Sequence, residues 1–333
     1  MPYALSILDK SPIPSGATAA EALAHTVKLA RRADDLGYKR FWVAEHHATT
    51  FLASSAPEIV SAYLLAVTRR IRIGTGGVML QHYSPFKVAE SFRVLENLAP
   101  GRVDLGVGKA PGGLPYATQA LQAFHDKAVK PDFETALEQL DGFLKGPLPP
   151  PHPLSKAQPK PDIVSLPDRI LLGASPESAA LAARLDWDFC YAGHFNGDPG
   201  QIERTFAAYA PASGRRPQLA LFAVAAPTRE RAAELAGEIK LFTLHLPGGQ
   251  RVNLPTREAV EAYVAEAGAR EYSVEEKRPQ VLADTPERVH EQLAALAARF
   301  GVEEFVIDNP VPDFADRLAS IELLGQATLA RAA

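Results

Sequence analysis

Short apolar runs alternate along the whole chain with longer runs whose apolar residues recur three or four apart. Residues 3–8, 40–45, 71–75, 101–108, 169–173, 188–192, 218–226 and 304–308 read as strands. Helical runs separate nearly all of them. The first opens with Thr18 and Glu21 at capping-box spacing, in which each side chain satisfies a free backbone N–H. Leu23, Val27 and Ala30 share one face, and Gly37 supplies the stop. Further helices are expected over 57–69, from Pro85 with Ser84 as cap, over 133–144, after Ser175, and over 202–209, 229–241, 286–300 and 314–330. Eight almost uniformly apolar strands alternating with helices imply a parallel sheet covered on both faces. That number favours closure into a (β/α)8 TIM barrel, an α/β fold in one domain spanning 1–333. Two insertions break the rhythm: a proline-rich stretch at about 146–167, which must be extended, and a long, mixed and irregular one at about 242–283.

Composition adds exclusions. The 333 residues are 47% hydrophobic and 22% charged, with a net charge of −4 and no basic run, so nucleic acid is not an expected partner. No apolar segment is long enough to span a membrane, and the first residues do not read as a signal peptide, so a cytoplasmic protein is expected. Cys190 is the single cysteine and reads as a buried small hydrophobe.

Chemistry in such barrels gathers at the C-terminal strand ends. The second strand stops abruptly on Glu45, His46 and His47. Asp9, Gly76, Gly77, Gly108, Lys109, Ser175 and His194 stand at comparable strand ends. Adjacent histidines on an extended strand point to opposite sides, and the chain has no His-x-His, so no metal site is expected. The glycines of 74–77 and 106–113 allow a backbone to approach a flat ligand closely, but they match neither a Rossmann fingerprint nor a P-loop. "GASPES" (173–178) offers two hydroxyls and the free N–H groups of a helix start, a phosphate cradle to which Lys109 could add charge. Glu177 opposes that charge.

The stretches "FWVAEHH", "IRIGTGGVMLQHYSPFKVAESFRVLENLAPGRVDLGVGKAPG" and "LLGASPESAALAARL" together resemble the bacterial luciferase-like monooxygenases, flavin-dependent enzymes on a (β/α)8 barrel. The resemblance runs in order and spacing from residue 3 to about 325 and is nearest to single-subunit members rather than light-emitting luciferases. It implies FMN, supplied reduced by a separate flavin reductase in a transient encounter, a small apolar or carbonyl-type substrate, and a homodimer. It implies His46 as the acid–base group over the flavin and Glu45 as its supporting carboxylate. Gly76 and Gly77 would meet the ring through a non-proline cis peptide; Gly108 and Lys109 would border ring and phosphate, and Ser175 and Ser178 would bind the phosphate. Lys109 departs from the family's usual arginine, keeping charge without the two-pronged contact. His82 is a weaker candidate for the pocket rim. A deazaflavin-dependent dehydrogenase on the same fold, or a non-catalytic flavin-binding protein, are the alternatives. Residues 246–255, with Gly248 and Gly249 as hinges and little apolar area, are expected to form a mobile gate.

Overall fold

A computed structural model describes residues 3–332 except Lys127 and Gln250. In chain order the strands are β1 (Ala4–Asp9), β2 (Arg40–Val43), β3 (Arg72–Thr75), the short β4 (Val78–Met79), β5 (Val103–Gly108), β6 (Asp168–Gly173), β7 (Asp188–Ala192), β8 (Gln218–Ala225), β9 (Leu241–His245), β10 (Arg251–Leu254), β11 (Ser273–Lys277), β12 (Val281–Asp284) and β13 (Glu304–Asp308). The helices are α1 (Ala19–Asp35), α2 (Pro57–Val67), α3 (Pro85–Leu98), α4 (Pro115–Leu121), α5 (Phe133–Lys145), α6 (Pro176–Arg184), α7 (Pro199–Ser213), α8 (Arg229–Ala236), α9 (Arg257–Ala267), α10 (Pro286–Phe300) and α11 (Phe314–Ala332). Parallel pairing runs β1-β2-β3-β5-β6-β7-β8-β13 and returns to β1, so eight strands close the expected barrel. The expected capping box is present on α1: Thr18 Oγ1 accepts from the Glu21 N–H, and the Glu21 carboxylate accepts from the Thr18 N–H.

The barrel interior is stacked in tiers, because inward side chains alternate along each strand. At the N-terminal end Arg40 donates to Asp104, Asp168 and Glu304, each at 2.9 Å, while Ser6 donates to Glu304 at 2.6 Å. Above this ionic plug lies an apolar tier of Leu8, Trp42, Ile170, Cys190, Ala220 and Val306. The Trp42 indole N–H reaches down to Asp104 at 2.8 Å. Cys190 is fully buried there, as expected, and burial pushes its thiol pKa well up. Two residues further along their strands, Lys10, Ala44, Phe222 and Asp308 therefore face the C-terminal mouth.

Three expectations need correction. Ser84 holds the cap position before α3, but its side chain makes no capping hydrogen bond; Pro85 at the first turn does the starting. The helix expected over 229–241 ends at Ala236, where Gly237 takes φ 55°, and Leu241 already opens a strand. The insertion at 242–283 is not irregular. It is a three-stranded antiparallel sheet, β10-β9-β11, whose apolar face packs under α9 as a small core of Phe242, Leu244, Val252, Leu254, Val260 and Tyr263. The period-2 alternation of Val252 and Leu254 is the signal that a helix-oriented reading passes over. β12 then rejoins the barrel along the outer half of β8. The proline-rich stretch forms neither helix nor strand and is tied down by Arg93, which donates to Pro161, Phe143 and Leu144 carbonyls. Among the described residues no helix is long and apolar enough to cross a membrane.

Candidate functional site

The strand-two stop is a register effect. Trp42 and Ala44 point into the barrel, so His46 continues that inward series at the mouth and Glu45 points outward. Backbone bonds fix the turn: the His46 N–H donates to Ser54 O at 2.9 Å and the His47 N–H to Gly112 O at 2.7 Å. His46 Nδ1 is enclosed and has no hydrogen-bond partner among the described residues. Burial, then the nearby Lys10 ammonium, lowers the His46 pKa to about 4, with Asp308 opposing. The imidazole is therefore neutral at neutral pH and offers an acceptor.

Glu45 has a different place from His46. It is fully buried, and both its oxygens are occupied: Oε1 by Tyr83 Oη at 2.8 Å and His47 Nε2 at 2.7 Å, Oε2 by the Met79 N–H at 3.0 Å. It ties β2 to β4 and α3's approach. That makes it a support, with no free oxygen turned to the mouth. His82 is another strut: its ring nitrogens engage the Pro111 carbonyl at 2.7 Å and Gln122 at 2.9 Å. It is only 2% exposed and does not form a pocket rim.

The peptide between Gly76 and Gly77 is cis. A Cβ on Gly77 would lie 2.8 Å from the Gly106 backbone, so the chain's own packing demands that glycine, whereas one on Gly76 would lie 2.7 Å from the end of the Leu8 side chain, which can shift. Gly108 differs. A Cβ there would meet only the Met79 side chain, at 3.5 Å, so its bare backbone leaves room at the mouth.

Ser175 caps α6, its Oγ accepting from the Ser178 N–H at 3.3 Å, and the two hydroxyls lie 3.3 Å apart. Lys109 stands at the matching level of the neighbouring strand, since β5 pairs β6 with Val107 opposite Leu171. Its ammonium lies 5.9 Å over the Phe133 ring, and no hydrogen bond or ion pair joins it to the serines. The Glu177 carboxyl is held below the usual range by its own backbone N–H and the Ser175 hydroxyl, so it leans on the same helix start.

Sequence reasoning missed most of the remaining wall. Lys10 Nζ lies 2.5 Å from Asp308 Oδ2 and 5.4 Å and 5.9 Å from the Phe222 and Phe195 ring centroids. The His194 ring packs on Phe195 at 4.1 Å, and its buried Nδ1 has no partner among the described residues. The available signal was parity: Lys10, Asp308 and Phe222 each lie two residues beyond an inward apolar residue. Among the described residues no group of three or more His, Cys, Asp or Glu could hold a metal ion.

The β9–β11 unit reaches this end of the barrel through the loop after β5. Leu114 packs on its small core, and the Tyr116 N–H donates to Glu266 of α9 at 2.9 Å. The segment expected to be a mobile gate is anchored for much of its length: Val252 and Leu254 of β10 are buried, leaving the turn at 247–249 as its unpacked part. Gln250 falls outside the described residues.

Comparison with known proteins agrees with this layout. The chain is 43% identical over 330 residues to N-acetyl-S-alkylcysteine monooxygenase of Bacillus subtilis, covering 98% of each chain. It is 41% identical over 195 residues to an Escherichia coli luciferase-like monooxygenase, covering 59% of this chain and 57% of that one. The solved structure of apo-MsnO8 superposes with a TM-score of 0.77 at 35% identity, covering 98% of each chain. The FMN complex of the oxygenating constituent of 3,6-diketocamphane monooxygenase from Pseudomonas putida shares the fold, with a TM-score of 0.70 at 17% identity over 98% and 97% of the chains. The luciferase-like monooxygenase family model matches residues 1–309, and with the barrel and its mouth laid out as above, the chain belongs to that family of oxidoreductases.

Proposed function

We propose that the protein is a reduced-FMN-dependent monooxygenase of small molecules, the flavin arriving from a separate reductase in the cytoplasm. The observation that carries this is the neutral, mouth-facing His46 with an unpartnered Nδ1, on a mouth where the neighbouring strand ends carry bare glycine backbone and Gly108 leaves room. The residues present fit a flavin. Gly76, Gly77 and Gly108 would take the flat ring, and Ser175, Ser178 and Lys109 its phosphate at the start of α6. Glu177 must swing off that helix start for the phosphate to enter. Bound reduced FMN supplies the electrons and the site of oxygen activation. The chain's own work is to orient the ring, keep water out and hold a proton acceptor at His46 Nδ1. Glu45 keeps the β2 turn and His47 in place. The substrate is an apolar or carbonyl-type molecule, and the activity named for the Bacillus relative adds thioethers of cysteine to that range.

The test is oxygen uptake by the purified protein with photoreduced FMN, run beside reduced deazaflavin. Uptake with FMN that couples to product supports the proposal. Hydride transfer with deazaflavin and no oxygen uptake assigns the dehydrogenase alternative instead. The phosphate assignment has its own check: Lys109→Ala should weaken FMN on the order of tenfold while leaving riboflavin nearly unchanged, since a hydrogen bond to a charged group is worth about 1.5–3 kcal/mol. Equal weakening of both ligands removes Lys109 from the site.

A further inference from the structure

The chain between β5 and α5, residues 109–132, leaves the barrel mouth beside the strand-two stop. The His47 N–H donates to Gly112 O at 2.7 Å, and a Cβ on Gly113 would lie 2.9 Å from the His47 carbonyl. The helix in this segment, α4, has seven residues and buries none of them, and Tyr116 and Phe124 stand exposed. So short a helix has no stability of its own. Its place is therefore set by anchors. Leu114 and the Tyr116 N–H tie it outward to the small sheet and α9. The turn after β4 ties it inward: Gln81 Nε2 donates to Lys109 O at 3.2 Å, and His82 grips the segment twice, at Pro111 before α4 and at Gln122 just after it.

The polarity of that double grip is fixed from both ends. The Pro111 carbonyl can only accept, so His82 Nε2, 2.7 Å away, must carry a proton. At the other end the Lys130 ammonium can only donate, and it lies 2.7 Å from Gln122 Oε1. That contact turns the Gln122 amide N–H toward His82 Nδ1, 2.9 Å away, which must therefore be bare. Donation runs one way, from Lys130 through Gln122 and His82 to Pro111, and only one neutral tautomer of the imidazole completes it. A proton added at Nδ1 would set two donors face to face. Gln122 cannot relieve this by turning over, because its N–H groups would then face the Lys130 ammonium.

We propose that His82 is a positioning residue that works as a proton-operated latch: neutral, with its proton on Nε2, it holds residues 109–122 at the mouth, and as an imidazolium it lets go of Gln122 and frees α4. The groups that face the ring set the pH at which this happens. Burial lowers the His82 pKa, the Pro111 carbonyl and Glu45 oppose that, and His47 and Lys130 add to it. His47 lies edge-on at 6.0 Å and Tyr83 at 6.2 Å between ring centroids. The latch is therefore shut at neutral pH and opens as the pH falls below the ordinary histidine range. The segment it holds begins at Lys109 and receives the His47 N–H, so release loosens one side of the mouth. The inference goes beyond the flavin reading and holds whatever the mouth binds.

The full chain without ligand is enough to test it. With the histidine rings labelled with ¹⁵N, His82 should read as the Nε2–H tautomer at pH 7.5 and should titrate below about 6.5. Amide exchange, corrected for its intrinsic pH dependence, should show residues 112–122 losing protection roughly 5- to 100-fold through that titration, the range for a buried donor left unmatched. Gln122→Ala should show that loss already at pH 7.5 and no further loss in acid. His82→Gln keeps one donor and one acceptor but takes up no proton, so its segment should stay protected in acid. A merely structural His82 would lower the melting temperature in His82→Gln and leave the acid opening of the segment in place. An Nδ1–H or doubly protonated ring at pH 7.5 overturns the proposal. So does a His82 that fails to titrate before the barrel unfolds, a segment whose protection ignores that titration, or acid opening that persists in either variant. If His82→Gln does not fold, the wild type and Gln122→Ala decide.

Discussion

His46 and His194 lie on the same mouth, and burial does the same to both: each is lowered to about 4. For His46 the cost is made larger by the Lys10 ammonium and His47 and smaller by Asp308; for His194 Asp308 reduces it and Lys10 adds to it. An unfolded histidine titrates near 6.5, so between about pH 4 and 6.5 the unfolded chain binds protons that the folded chain refuses. Stability from these groups is full above about pH 6.5 and is lost as the pH falls toward 4, with a slope of at most about 1.4 kcal/mol per pH unit for each histidine. Urea denaturation between pH 4.5 and 7.5 should show that slope, and His194→Gln should reduce it by one proton; an unchanged slope would mean that burial of His194 has no linkage to folding. His46 carries a second expectation. General acid–base groups contribute about 10²–10⁴-fold, so His46→Ala should lose product formation by that order with flavin affinity and melting temperature near wild type. A large fall in melting temperature with full specific activity in the folded fraction would make the imidazole a packing residue. At this scale the sequence showed where strand two meets the mouth, but not that Glu45 turns away. Its direction depends on Tyr83 and the Met79 N–H, brought to it from more than thirty residues along the chain.

The elements of the barrel were legible because each has its own local signals: Thr18 and Glu21 start α1, Pro85 starts α3, and the eight strands read as apolar runs. The β9–β11 unit was not, since its strands are short and its core exists only once α9 packs across them. That unit is nearly self-contained, so it is expected to open as one piece at lower cost than the barrel. Leu244 is fully buried in it, and a Leu→Ala change in such a core costs about 2–5 kcal/mol. Leu244→Ala should therefore raise hydrogen exchange in β9, β10 and β11 together while β1, β2 and β13 keep their protection. Exchange that rises equally in the barrel strands would show that the unit and barrel unfold together.

On the outside of the barrel, α2 and the adjacent α3 each carry exposed large apolar side chains. Ile59 and Tyr63 on α2 are 68% and 60% exposed, and Leu98 on the adjacent α3 is 69% exposed. Ile59 and Tyr63 lie four residues apart, as do Val94 and Leu98, so each pair forms a stripe on its helix. Exposed apolar stripes on neighbouring helices are candidate contact surfaces, and we propose that a second copy docks on them about a two-fold axis. Sedimentation should find a dimer for the wild type and a monomer for Tyr63→Glu combined with Leu98→Glu, with the melting temperature of the monomer little changed; a wild type that sediments as a monomer at micromolar concentration removes this assembly.

The sequence alone determined the class of fold, the chain order of the strands and which residues arrive at their C-terminal ends, because hydrophobic period, caps and glycine stops act over a few residues. Tertiary structure decided the rest. Closure of the barrel set β13 beside β1 and so brought Asp308 to within 2.5 Å of Lys10, residues separated by 298 positions. It sent Glu45 outward into a strut while His46 stayed on the mouth, and it folded the stretch after α8 into a sheet. The Lys10–Asp308 pair and the direction of Glu45 rest on which partners come within reach in the folded barrel, 298 and 34 residues away along the chain, and no local pattern encodes such a partner.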